Sequence, residues 1–251
     1  MEKSEDDEIA IMCNSITTLI SKIVKNTESY ETVITMFKDI LGMLYYRNHQ
    51  AVSGLVHNIA NHESALEDIF LKYGFKKLEK RLKKTEKDEM ILSNDKNNFM
   101  ENMTFIAQPC GSHNNPDFLL KPCKGVILPI EAKSCNGNTP LYNSGGIHGD
   151  YIYVFCSKSE NKTTIYTGGD IITKEQNKLI DQYKESIKIR DEEFNKKLLD
   201  LDYNKRGVYF YTRPMIGQRG NNTDYFKHND RTISEENVFA FIKNKYLNVD
   251  G

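Results

Sequence analysis

Three side chains near the middle of the chain have the types and spacing for chemistry on a phosphodiester. Asp117 lies in Asn115-Pro116-Asp117-Phe118-Leu119-Leu120, and Glu131 and Lys133 lie in Val126-Ile127-Leu128-Pro129-Ile130-Glu131-Ala132-Lys133. Both acids sit in otherwise apolar runs, where an ionised carboxylate is costly unless something cationic offsets it. A bound metal ion would do so. Side chains alternate along a strand, so Glu131 and Lys133 emerge on one face and Ala132 on the other. Lys121-Pro122-Cys123-Lys124-Gly125 reads as a hairpin connection that lets Asp117 on one strand face Glu131 on the next. Asp117, Glu131 and the Ala132 carbonyl would then be oxygen ligands for Mg²⁺. The ion would acidify a bound water, and Lys133 would orient or deprotonate that water and stabilise the developing negative charge. The competing reading is a surface ion-pair cluster. The flanking apolar runs weigh against it, because isolated buried carboxylates are rare.

The elements that must position these groups are visible as periodicities. Apolar residues recur at helical spacing from Ile9 to about Lys87, which predicts a helical N-terminal region. Short β-branched or aromatic runs follow at 118–120, 126–130, 151–155, 163–166 and 208–211, separated by Gly, Pro and Asn clusters, and read as strands of one mixed sheet. Residues 174–203 carry apolar positions amid dense charge and suit a long amphipathic helix. The expected fold is α/β, a mixed central sheet flanked by helices. Residues 1–59 form the helical region and 60–251 the catalytic part with its loops and C-terminal additions, together one unit. Pro129 lacks the amide that a central strand would donate, and so predicts a bulge or an edge position.

At Pro116-Asp117 and Glu131-Ala132-Lys133 the chain resembles the PD-(D/E)XK nuclease superfamily. The helix-like segment from His62 to Tyr73, ending at Gly74, resembles the family's upstream helix with its accessory acid. Glu63 is the better match for that acid, with Glu67 one turn further on the same face as the alternative. The resemblance spans about 60–172 and implies a restriction-endonuclease-like fold with Mg²⁺ as the only cofactor. A stand-alone chain of this size is most similar to a type II restriction endonuclease, which implies sequence-specific hydrolysis of double-stranded DNA by a homodimer. A structure-selective repair or recombination nuclease of the same superfamily would carry the same residues, and so would a non-catalytic DNA-binding protein with structural carboxylates. Metal dependence separates the last from both enzymes, and the cleavage pattern separates the enzymes.

Two polar loops are candidate DNA readers. The first follows the signature and contains Asn136, Asn138 and Asn143; the second contains Arg213, Gln218, Arg219 and Asn222, side chains that pair with guanine and adenine edges. Lys227 and Arg231 beyond them would hold phosphates, with His228 beside them. The basic run 76–87 reads first as a solvated helix face, and second as a phosphate contact.

Composition sets the bounds. The chain has 251 residues, 39% of them hydrophobic, enough for a substantial core without staples. A net charge of −1 excludes a general polycation, so nucleic acid must be met by local patches. Five cysteines without a CxxC pair argue against a disulfide framework and for a reducing, cytoplasmic setting. No apolar run approaches the length of a membrane helix. Cys110, His113, Cys123 and Cys135 have no zinc-site spacing, and His57 and His62 are offset wrongly for one helical face.

Overall fold

In the computed structural model, which describes residues 17, 26–45, 62–111, 114–142, 146–201, 206–219 and 223–248, the chain reverses at Cys123-Lys124-Gly125. Gly125 takes φ 76° there, a conformation that favours glycine, and the Val126 amide donates to the Cys123 carbonyl at 3.3 Å. The turn joins β3 (Phe118–Lys121) to β4 (Leu128–Cys135) in antiparallel register, Phe118 opposite Ile130 and Leu120 opposite Leu128. Around this hairpin lie β1 (Lys76–Lys77), β2 (Thr104–Ala107), β5 (Ile152–Ser157) and β6 (Lys162–Thr167), six strands in chain order within one mixed sheet. The β1–β2 and β4–β5 pairs are parallel and the others antiparallel. The helices are α1 (26–41), α2 (His62–Lys72), α3 (Lys84–Ser93), α4 (Lys174–Leu199) and α5 (Arg231–Leu247).

Strand alternation divides the core into two layers. Phe118, Leu120, Ile130, Ile152 and Val154 face α1, α2 and α5, meeting Phe37, Leu66, Phe70 and Ile242. Phe70 packs edge-on against both Phe105 and Phe118 at 5.3 Å between ring centres. The described part of 1–59 thus shares the core of the sheet. The opposite face carries Ile106, Leu119, Tyr153, Phe155 and Tyr166, covered by Met90 and Ile91 of α3 and by Tyr142 and Ile147. Glu131 and Lys133 belong to this second face by alternation, beside Tyr153 and Phe155 of β5.

Several expectations need correction. Pro129 is neither at an edge nor in a bulge: the register with β3 runs unbroken through Leu119↔Pro129, and β4 is interior. The ladder to β5 begins only at Ile130↔Ile152, so the missing amide falls ahead of it. Residues 208–211 form no strand, and lie exposed alongside α4, where Asn195 bonds the amide and carbonyl of Phe210 at 2.6 and 2.7 Å. The basic run 76–87 is not one helix; it is β1, an extended stretch and the first turn of α3. α4 begins at Lys174 as expected, behind a Thr173/Gln176 capping box, yet none of its residues is buried, and Phe194 meets the exposed Phe210 edge-on.

The parallel step from β4 to β5 is made by 136–151 with no helix among its described residues, which is unusual for a parallel crossover. Its return is clamped onto β6: the Gly168 amide donates to the Tyr151 carbonyl at 3.0 Å, and a Cβ on Gly168 would stand 1.8 Å from the His148 carbonyl oxygen. At Gly169 the nearest atoms are 3.5 Å away. Gly168→Ala should therefore lose about 3 kcal/mol of stability or more, and Gly169→Ala about 1 kcal/mol or less, in urea denaturation. Equal losses would refute the clamp.

Candidate active site

β3 begins one residue after Asp117, so β4 outruns its neighbour and leaves an uncovered edge at Glu131 and beyond. Asp117 fills it: its Oδ2 accepts the Ala132 amide at 2.8 Å. The amide and carbonyl of a strand residue point to the same side, so the Ala132 carbonyl lies on the edge that Asp117 occupies. On β4 itself, Lys133 Nζ meets Glu131 Oε1 at 2.5 Å. The expected trio of Asp117, Glu131 and Lys133 is thus assembled at one end of the β3–β4 pair.

The two candidate upstream acids have different partners. Glu67 is bound by Lys77 Nζ at 2.9 Å, which makes it part of an ion pair on the β1 side. Glu63, at the start of α2, accepts Gln108 Nε2 at 3.0 Å, and the Gln108 amide donates to the Asp117 carbonyl at 2.6 Å. Glu63 is also near enough to raise the pKa of both Asp117 and Glu131. Gln108 therefore joins Glu63 to the backbone of Asp117. It sits at φ 45°, uncommon for a residue other than glycine. Behind the Asn115–Asp117 turn, the buried Lys87 donates to the Asn115 carbonyl at 3.2 Å and to the Tyr151 hydroxyl at 3.3 Å.

The electrostatics are lopsided. Among the described residues, three carboxylates, Asp117, Glu131 and Glu63, share the site with one ammonium, Lys133. Burial, then the charges of Glu131 and Glu63, push Asp117 up to about 8, against the opposing pull of the Ala132 amide and Lys133. Burial also raises Glu131, opposed chiefly by Lys133. Glu131 is only 2% exposed, and its Oε2 has no hydrogen-bond partner among the described residues. A water or a cation would satisfy such an atom. Among the described residues no three His, Cys, Asp or Glu side chains stand together as a closed metal cage. Two carboxylates and a strand carbonyl instead suit a hard cation that keeps several of its waters. Cys110, Cys123 and Cys135 are free thiols, Cys123 being buried, while His113 and His57 lie outside the described residues.

The expected readers fare unevenly. Asn138 is not a free reader: its amide donates to Glu160 and Asp224 at 3.1 and 2.9 Å, and its oxygen accepts from Ser159 at 2.7 Å. Gln218 accepts the Tyr225 hydroxyl at 2.5 Å. Asn136, Arg213 and Arg219 are exposed; Asn143 and Asn222 lie outside the described residues. The two loops are one unit, joined by paired backbone bonds between Tyr142 and Ile216 at 2.9 and 2.7 Å. Of the expected phosphate holders, Arg231 is committed to Glu235 at 2.7 Å and stacks on Phe226, so it anchors α5. Lys227 faces Glu160 at 3.0 Å in an exposed pair of the weak kind.

Comparison with protein-family models, with curated proteins and with solved structures returns no match for this chain. The site therefore stands on its geometry.

In the unfolded chain Asp117 gives up its proton near 3.8, whereas in the folded, cation-free chain it holds the proton to about 8. Between those values Asp117 binds more protons in the folded state, so its contribution to stability falls as pH rises through the window and levels off above it. In chelator, the wild-type chain should lose stability from pH 5 to pH 8 more steeply than Asp117→Asn, read from urea midpoints. Parallel pH profiles would show that Asp117 does not hold its proton in the folded chain.

Proposed function

We propose that this chain is a Mg²⁺-dependent endonuclease that hydrolyses phosphodiester bonds of double-stranded DNA. The observation that carries this reading is Glu131, a buried carboxylate with an orphan oxygen, set beside two further carboxylates and a single ammonium. A hard divalent cation held by Asp117, Glu131 and the Ala132 carbonyl would offset that charge, acidify a bound water and neutralise the scissile phosphate.

The chain's own groups do the rest. The Ala132 amide fixes one oxygen of Asp117 and so aims the other. Glu131 has two tasks, because Oε1 holds Lys133 while Oε2 remains available. Lys133, nearly buried and held at its tip, donates to the attacking water or to the charge developing on phosphorus oxygens. Glu63, steadied by Gln108, orients solvent from the α2 side. Water adds to phosphorus, one P–O ester bond breaks, and a phosphate monoester and a hydroxyl remain.

Site specificity of the type II restriction kind is part of this proposal. Its base contacts would come from Asn136, Arg213 and Arg219 on the joined loops, where one bidentate pair is worth about 1–3 kcal/mol of discrimination. Two strands to cut with one site per chain would be served by a two-fold pair of chains.

Plasmid cleavage is the test. Asp117→Asn, Glu131→Gln and Lys133→Ala should each reduce the rate by roughly 100-fold or more with the fold intact, and Glu63→Gln by roughly tenfold. Ca²⁺ should support binding with little turnover, and Mg²⁺ or Mn²⁺ should restore cutting. Near-normal cleavage by Lys133→Ala, or full activity in excess chelator, would sink the proposal.

A further inference from the structure

A carboxylate cluster that must attract a polyanion needs cations at its flank, and the groups first expected to supply them do not. Arg231 is tied into α5 and Lys227 is paired. The basic run is placed differently from the helix face that its sequence suggested. After β1 it continues beside β2 in the same direction: the Leu78 amide donates to Phe105 at 2.8 Å, and the Leu82 amide to Pro109 at 2.7 Å. Pro109 follows Gln108, which touches both Glu63 and the Asp117 backbone. The run therefore climbs the sheet edge and arrives at the active-site end.

There it turns into α3, whose Lys87 reaches the Asn115 carbonyl two residues before Asp117. Lys83 is the extended N-cap residue of this helix and Lys84 its first residue, one turn before Lys87. Lys80, Arg81, Lys83 and Lys84 are all exposed, and none has an ion pair among the described residues. The acids interleaved with them pair with none of these four cationic side chains. Glu79 faces Lys77 at 4.0 Å, Glu86 caps the Lys83 amide at 2.7 Å, Asp88 pairs with Lys87 at 2.7 Å and Glu89 accepts Asn97 at 3.2 Å.

We propose that Lys80, Arg81, Lys83 and Lys84 form a track for the phosphodiester backbone of nucleic acid, delivering it along the β1–β2 edge to Asp117 and Glu131. The proposal rests on the nuclease reading for its destination, but the track itself is a binding surface. Charge neutralisation along it releases condensed counterions, so its signature is the salt dependence of binding.

The experiment measures affinity of the full chain for a short fluorescent duplex in Ca²⁺ across a KCl series. Lys80, Arg81, Lys83 and Lys84 are replaced together by alanine, and a control replaces Lys174, Lys178, Lys196 and Lys197 of α4. The track variant should bind at least tenfold more weakly, and its slope of log affinity against log salt should fall by roughly 3–4, about 0.9 for each phosphate no longer neutralised. The control should keep most of both. Should the four-fold variant melt early, Lys80→Ala/Arg81→Ala, outside any helix, should lower the slope by roughly 2. Wild-type slope and affinity in the folded track variant would overturn the proposal, and so would a wild-type chain that does not bind the duplex. A chain that binds through the track yet hydrolyses nothing in Mg²⁺ or Mn²⁺ would overturn the nuclease reading and leave the track standing.

Discussion

Negative charge without enough positive charge, held at one end of a β-sheet, is the condition around which the rest of this structure is arranged. Asp117, Glu131 and Glu63 converge where, among the described residues, Lys133 is the cation that acts on them, and Glu131 is removed from water. Desolvation makes each ionised carboxylate costly and strengthens their mutual repulsion. The protein answers in part with protons, since Asp117 and Glu131 both hold theirs above the ordinary range. A divalent cation would answer in full, and exchanging a proton for a metal ion is how a site of this kind couples pH to binding.

Holding such a cluster requires rigid backbone on every side. The β3–β4 register sets Asp117 against the free edge of β4, and the Asp117 carboxylate takes the place of the missing strand partner for the Ala132 amide. Gln108 extends β2 by one backbone bond and ties α2 to the same point. Further along β3, Lys121 forms a fully buried ion pair with Asp95, whose carboxylate also accepts the Phe99 and Met100 amides at 2.7 and 3.1 Å. One end of β3 is thus closed by a matched charge pair, and the other presents an unmatched cluster. Breaking a buried pair by removing one partner costs about 3–5 kcal/mol, so the Lys121 end is anchored while the Asp117 end remains receptive.

Much of the centre was legible because its signals are local. The apolar runs around Asp117 and Glu131, the Gly125 turn and the alternation of Glu131 with Lys133 depend only on near neighbours, and each appears where periodicity places it. Distance from Gly74 favoured Glu63 over Glu67, and the contacts place Glu63 on Gln108 and Glu67 in an ion pair with Lys77. What escaped depends on contacts far apart in sequence. β1 and β2 are two and four residues long, too short to show a period, and Gln108 matters only because β2 lies beside β3. The run at 208–211 has strand-forming residues but pairs with α4 instead of the sheet: Asn195 takes the Phe210 amide, and Asp191 takes that of Thr212 just beyond. Asn138 has the chemistry of a base reader and is instead a bracket between two loops, which composition cannot distinguish.

Charge placement links these parts to a single physical quantity, the affinity of the carboxylate cluster for a cation. Calorimetric titration of Mn²⁺ into the chelator-stripped chain near neutral pH, in two buffers of different ionisation enthalpy, measures it most directly. A site that exchanges a proton for a metal ion should show saturable binding with release of about one proton per site, and Glu131→Gln should lose both. Binding without proton release, binding that survives Glu131→Gln, or no binding at all would contradict it.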